Sequence, residues 1–339
     1  MKNKTPDFAY HMTKFFTEYL PIQRNLSPNS IATYRDTFRL LLLFYDTGKH
    51  IKPNLLTLDM LNVQEIEDFM LWLKKERNCG ASTCNHRLGA LKSFFRYLQF
   101  ALPDRALQCQ ENLAIRPMKQ PEPGLKYLTI DGIKLLLEQP DIKTKYGRRD
   151  LAILSLMYDT GARVQEIADI KIVHIRFSTP ATIRITGKGD KTRIVPLLSR
   201  TVDILKQYIK DFKIDAGGND AYLFQNRNGQ QLSRFGISYI LKKYADMARK
   251  VHPELIPEKL SPHCIRHSKA MHPLQANVNL VYIRDLLGHS SVTTTEIYAR
   301  ADTTLKREAL EKANPIKGTP AMPQWNDDEG LMEWLRTLI

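Results

Sequence analysis

The sequence predicts a mainly α-helical protein in two domains, with one small β-hairpin or sheet in the second. Three observations lead there. Apolar residues recur at helical spacing along most of the 339 residues. A proline-dense segment interrupts that pattern near residue 115. One stretch, ATIRITGKGDKTRIVPL, alternates apolar and polar residues on either side of a glycine-flanked turn.

The first domain spans residues 1–114. FAYHMTKFFTEYLPIQ opens it with apolar residues one helical turn apart. LSPNSIATYRDTFRLLLLFYDT follows, with Ser27 as its cap and Pro28 at the first helical position. NVQEIEDFMLWLKKERN and ASTCNHRLGALKSFFRYLQFAL repeat the period, so four amphipathic helices are expected. Residues 115–124 read as a linker. The second domain spans 125–315, with helices expected around 130–138, 148–157, 164–169, 200–214, 234–250, 263–275, 280–287 and 302–313. A tail, 316–339, closes the chain. Asn326, Asp327 and Asp328 can cap a helix there, and Leu331, Met332, Trp334, Leu335, Leu338 and Ile339 form one apolar stripe. That stripe needs a groove, on its own domain or on a neighbouring subunit.

The net charge of +14 points to a polyanionic partner, because lysine and arginine gain affinity by releasing phosphate counterions. No apolar run is long enough to span a membrane, and the first residues do not resemble a signal peptide. Cys79, Cys84, Cys109 and Cys264 form no CxxC pair, as expected of a reduced, intracellular protein without a disulfide framework.

Four segments carry the chemistry. In MYDTGARVQEIADI, Gly161 suits a tight turn, Arg163 starts a helix and Glu166 lies one turn on; alone, the last two could be a surface ion pair. In GKGDK, Lys188 sits between two glycines on a hairpin tip, without the spacing of a P-loop. In SPHCIRHSKAMH, His263 and Arg266 share a helix face. His263 and His267 are four apart, but no third ligand accompanies them, so a packed histidine is the plainer reading and no metal is expected. In LLGHSSVTTTEIYAR, Gly288 ends a helix and places His289; Ser291 or Thr293 starts the next one, which carries Tyr298. These residues gather cations around an anion and add a nucleophile, a set suited to phosphoryl transfer by charge stabilisation from side chains alone.

The order Arg, Lys, His-x-x-Arg, Gly-His, Tyr resembles the tyrosine recombinase (phage integrase, Xer-type) family over nearly the whole chain. The resemblance implies a two-domain clamp: an N-terminal SAM-like core-binding domain and a tyrosine recombinase catalytic domain. It implies that Tyr298 attacks the scissile phosphate, that Arg163 and Arg266 hold the non-bridging oxygens and that Lys188, rather than Lys191, protonates the leaving 5′ oxygen. It gives His263 an acid/base position, His289 a hydrogen bond to the phosphate and Glu166 a supporting role. The partner it implies is double-stranded DNA, bound by a homotetramer that exchanges C-terminal helices across two sites, with accessory proteins and no cofactor. On the helices that resemble its DNA-facing pair, Asn29, Ser30, Thr33, Arg35, Asn85, Arg87 and Lys92 are the candidate contacts. Integration or excision of a mobile element is the expected role; Xer-type chromosome or plasmid dimer resolution and a non-cleaving accessory protein are the alternatives. The chain departs from the family pattern at Lys269, where an aromatic is usual, at Pro273 inside a helix, and at Asn277 in a glycine position.

Overall fold

The computed structural model describes residues 7–120, 124–187, 189–289, 291, 293–301, 330, 333 and 336–337. Contacts divide the chain into two compact units, Met1–Pro123 and Gly124–Ile339.

In the first unit, α1 (Phe8–Lys14) widens into a π-helical segment, Phe15–Gln23, and α2 (Pro28–Leu43) into another, Phe44–Gly48. α2 starts where its sequence signals it. The Ser27 hydroxyl accepts the Ser30 amide and Pro28 occupies a position whose amide has no intrahelical partner. α3 (Val63–Lys75) is capped by Asn62, which accepts the Glu65 amide at 3.0 Å. α4 (Ala81–Ala101) is the longest helix of this unit. Phe15, Phe38 and Phe94 meet at its centre, with Phe94 edge-on to Phe15 at 5.1 Å and to Phe38 at 5.2 Å.

Two features differ from the sequence expectation. A fifth helix, α5 (Ala106–Ala114), follows the expected four. Polar contacts hold much of it, which is why apolar periodicity does not reveal it. Gln108 donates to the carbonyls of Leu58 and Leu61, and buried Asn112 donates to that of Leu61. The expected linker also begins as a packed strap. Asn85 pairs with both backbone groups of Met118, and the Lys92 ammonium donates to the Ile115 carbonyl.

The second unit is built around α7 (Lys145–Thr160), whose Ala152, Ile153, Leu154, Leu156 and Met157 are buried. α7 is longer at both ends than its apolar period suggests, because Thr144 caps it and Gly161, at φ 57°, closes it. α6 (Ile130–Glu138) precedes it and α8 (Val164–Ala168) follows. Next comes an antiparallel sheet in the order β1 (Ile175–Arg176), β2 (Thr182–Thr186), β3 (Thr192–Pro196). β2 and β3 are the expected hairpin, with Ile183 opposite Val195 and Ile185 opposite Arg193. The two-residue β1 is too short for an alternation signal. α9 (Ser199–Phe212), α10 (Arg234–Val251), α11 (Pro262–Gln275), α12 (Leu280–Leu287) and α13 (Thr293–Ala301) complete the unit. The helix expected at 302–313 and the apolar stripe of the tail lie outside the described residues. Among the described residues, no helix is long and apolar enough to cross a membrane.

α11 runs through Pro273 to Gln275 without breaking. The proline falls in the last turn, where only the Lys269 carbonyl loses an intrahelical amide. Asn277 then takes φ 60°, as a helix-closing residue must. Its amide bonds to the Leu274 carbonyl and that of Val278 to Pro273. Asparagine thus fills the glycine position with the geometry that position requires.

Candidate active site

Glu166 is the anchor of the site. Gly161 turns the chain out of α7, and Arg163 becomes the residue that caps α8. The Arg163 amide donates to Glu166 Oε2 at 2.9 Å and its guanidinium to Oε1 at 2.8 Å. A third arm comes from β3, where Arg193 Nη2 donates to Glu166 Oε2 at 2.7 Å. Burial works to raise the pKa of this carboxyl, but the bonds from Arg193 and Arg163 outweigh it and hold the group below its usual range. Glu166 is therefore a buried carboxylate that orients two guanidiniums. Gly187 leaves room for it, since a Cβ there would stand 2.8 Å from Oε1.

Arg266, on α11, is buried, and its guanidinium donates to the carbonyls of Gly161 at 2.7 Å and Leu287 at 2.6 Å. Burial, with the charges of Arg163 and Arg193, lowers its pKa to about 10, so it stays cationic at neutral pH. Arg193 Nε donates to the Leu286 carbonyl at 2.9 Å. Two guanidiniums therefore satisfy the last carbonyls of α12, a helix end that would otherwise leave them without partners. Gly288, at φ 66°, closes α12, and a side chain there would press on Arg193 at 3.0 Å.

This closure places His289. Its Nδ1 is 2.9 Å from the Thr295 hydroxyl. Burial and the charges of Arg266, Arg163 and Arg193 lower its pKa to about 4, so the ring is neutral at pH 7. Tyr298, on α13, is only 1% exposed. Its ring lies nearly parallel to that of His289, 6.3 Å away, and its hydroxyl is 3.0 Å from His267 Nδ1. Burial raises the phenol pKa, while Arg266 and Arg163 act to lower it.

The structure thus brings together Arg163, Glu166, Arg266, His289 and Tyr298 from α8, α11, the end of α12 and α13. His263 is exposed one turn before His267, its ring 6.4 Å from that of His267. Lys188 lies outside the described residues. Lys191 lines a cleft of about 830 Å³ with Arg163, Arg193, Arg284 and His289.

Two residues of this site escape sequence reasoning. Arg193 had a signal: on β3 it alternates onto the same side as buried Val195, so it needed a buried partner. His267 was visible only as half of a metal-like spacing, and its contact with Tyr298 depends on how α13 packs against α11. Lys269, where the family pattern has an aromatic, lies over the Tyr158 ring and pairs with buried Asp159 at 3.5 Å. Asp159 also accepts the Leu198 amide, so this cation balances a carboxylate in the core.

In the first unit, Asn29, Thr33 and Arg35 are exposed on α2 and Ser30 is half-buried. Asn85 and Lys92 hold the 115–118 strap, as described above. The Arg87 guanidinium donates to the Thr33 carbonyl and the Thr37 hydroxyl, joining α4 to α2. These three side chains are engaged inside the unit.

Comparison with known proteins follows the same division. The sequence profile of the phage integrase family matches residues 126–304, and that of the phage integrase N-terminal SAM-like domain matches 14–100. A candidate integrase/recombinase of Sinorhizobium fredii, y4rC, is 35% identical over 335 residues, covering 99% of each chain. The tyrosine recombinase XerD of Listeria innocua is 31% identical over 306 residues, 88% of this chain and 97% of the relative. The Tn1549 transposon integrase, solved in complex with transposon right end DNA, superposes with a TM-score of 0.69 at 18% identity, over 88% of this chain and 98% of that one. This last likeness is one of fold.

Proposed function

The chain belongs to the phage integrase family, the tyrosine recombinases, and we propose that Tyr298 is the nucleophile with which it cleaves and rejoins DNA. The observation that carries this reading is the convergence of Arg163, Arg266, His289 and Tyr298 from separate elements. Tyr298 Oη attacks the scissile phosphorus, a 3′-phosphotyrosyl bond forms and the 5′ oxygen leaves with a proton. Arg163 and Arg266 stabilise the charge developing on the non-bridging oxygens, the first held by Glu166 and the second by the Gly161 and Leu287 carbonyls. His289, kept neutral, donates to the same phosphate. Lys188 protonates the leaving oxygen, and exposed His263 takes an acid/base position. Glu166 and Arg193 keep the guanidiniums in place.

The phosphodiester energy is retained in the covalent bond, so rejoining requires neither metal nor ATP. DNA is the substrate, met by basic surfaces of both units, and a homotetramer exchanging tail helices is the assembly. The role is integration or excision of a mobile element, supported by the departures after Arg266 and by full-length similarity to an integrase/recombinase. Similarity to XerD over most of the chain supports dimer resolution as the second reading.

Covalent trapping tests the chemistry. A duplex is selected by binding from a random-sequence pool, nicked beside the cleavage position and incubated with the full chain in EDTA. A protein–DNA adduct on denaturing gels, absent with Tyr298→Phe, is the expected result. An adduct that persists in Tyr298→Phe overturns the assignment.

A further inference from the structure

A tyrosine hydroxyl must lose its proton to become a phosphate ester. With an ordinary pKa near 10, only about one phenol in a thousand is ionised at pH 7. Burial makes Tyr298 a weaker acid still. The attack therefore calls for a base within hydrogen-bond reach of Oη, and geometry is the first criterion for choosing it.

Two histidines, His267 and His289, lie against the phenol, and a third, His263, lies beyond His267. His263 is exposed and its ring is one helical turn away from that of His267. His289 stacks on the phenol ring but engages the Thr295 hydroxyl through Nδ1. Nδ1 of His267 is 3.0 Å from Oη, with its ring centroid 5.7 Å from that of Tyr298. The residue is half-buried and adjoins Arg266 in sequence, so the arginine that holds the phosphate and the histidine that holds the nucleophile share one rigid turn of α11.

We propose that His267 is the proton acceptor for Tyr298: as Oη bonds to phosphorus, the phenol proton passes to His267 Nδ1 and the 5′ oxygen departs with a proton from the leaving-group acid. On rejoining, the attacking 5′-hydroxyl gives its proton back to the deprotonated leaving-group acid, the Oη–phosphorus bond breaks and His267 returns the first proton to the phenolate. This assignment rests on the proposed role of Tyr298. It requires a neutral imidazole with a free lone pair toward Oη. The groups facing His267 favour that state: His263 and Arg266 on its own helix, and His289 after α12, add positive charge or none, and Tyr298 on α13 is uncharged until it reacts. Burial, followed by His263 and Arg266, lowers the His267 pKa.

The test uses the full chain and the nicked duplex described above, with adduct formation timed from pH 5 to pH 9. His267→Gln keeps an oxygen that can accept the phenol but cannot carry its proton away. It should bind the duplex like wild type and form adduct about 100-fold more slowly at pH 7. The deficit should shrink as pH rises, because hydroxide then removes the proton. In His267→Ala, added imidazole should recover roughly tenfold of the lost rate. Wild-type or faster adduct formation in His267→Gln overturns the proposal, the faster outcome making His267 a latch. So does a fall in the wild-type rate toward pH 5 that vanishes in His263→Gln but persists in His267→Gln. A wild-type chain that forms no adduct on DNA it binds removes the premise about Tyr298, and this assignment falls with it.

Discussion

The α2–α4 face of the first unit and the cleft of the second were both expected to meet phosphate, yet they use their cations differently. In the cleft, Arg163, Arg193 and Arg266 are tied by Glu166 and by backbone carbonyls, and the ties aim them at a common place. On the α2–α4 face, Arg87 and Lys92 are tied just as firmly, but to groups that turn them inward. A bond to protein is therefore compatible with a catalytic or a structural role. What separates the two is whether several such bonds converge on one group from different elements, as those of Arg163 and Arg193 do on Glu166 in the cleft.

Glu166→Gln is the largest expected way to break the cleft's side of this contrast. It removes the one carboxylate between two guanidiniums while keeping the side chain's size. Leaving those charges unbalanced should cost about 3 kcal/mol in urea unfolding of the full chain. DNA cleavage should fall as Arg163 loses its orientation. The contribution also depends on pH. The folded pKa of Glu166 is depressed, so its stabilisation is present above the ordinary carboxylate range and is lost as pH falls through the folded value. Stability and cleavage unchanged in Glu166→Gln would mean that the arginines orient themselves without it.

His289 provides a second, smaller break. The unfolded chain protonates this residue near pH 6.5, whereas the folded chain does so only at about 4. Lowering the pH across that interval favours the unfolded state, by about 2 kcal/mol once partial exposure is discounted. His289→Gln should flatten that part of the stability profile, measured as melting temperature between pH 7 and pH 4. A profile of unaltered slope would mean that neither burial nor the charges of Arg266, Arg163 and Arg193 hold the ring neutral.

These contrasts also explain what was legible in the sequence. Arg163, Arg266, His289 and Tyr298 carry spacings that only their combination makes specific, and two of them, Arg163 and His289, also follow a helix end closed by a glycine, Gly161 and Gly288. The helices with clear apolar stripes were legible for the same reason. α5 was not, because buried Asn112 and Gln108 hold it in place of an apolar face. His267 was not, because its partner lies on another helix 31 residues away. On α4, an amphipathic pattern shows that Asn85 and Lys92 are polar. It cannot show that the chain returns over them at 115–118 and covers them.

That last point separates two substitutions with similar appearance in the sequence. Asn85→Ala removes a side chain that satisfies both backbone groups of Met118. It should cost about 1–2 kcal/mol of stability and leave the salt dependence of DNA binding as in wild type. Arg35→Ala removes an exposed guanidinium whose pair with Asp36 at 3.2 Å contributes little. Its stability should be unchanged, within about 0.5 kcal/mol. If Arg35 meets a phosphate, however, one fewer counterion is released on binding, and the slope of log affinity against log salt should fall by about 1. The reverse result, a steeper slope in Asn85→Ala and no change in Arg35→Ala, would mean that loosening the strap releases the Lys92 ammonium from the Ile115 carbonyl to the phosphate backbone. The α2–α4 face would then resemble the cleft after all, its cations held in reserve by carbonyls rather than consumed by them.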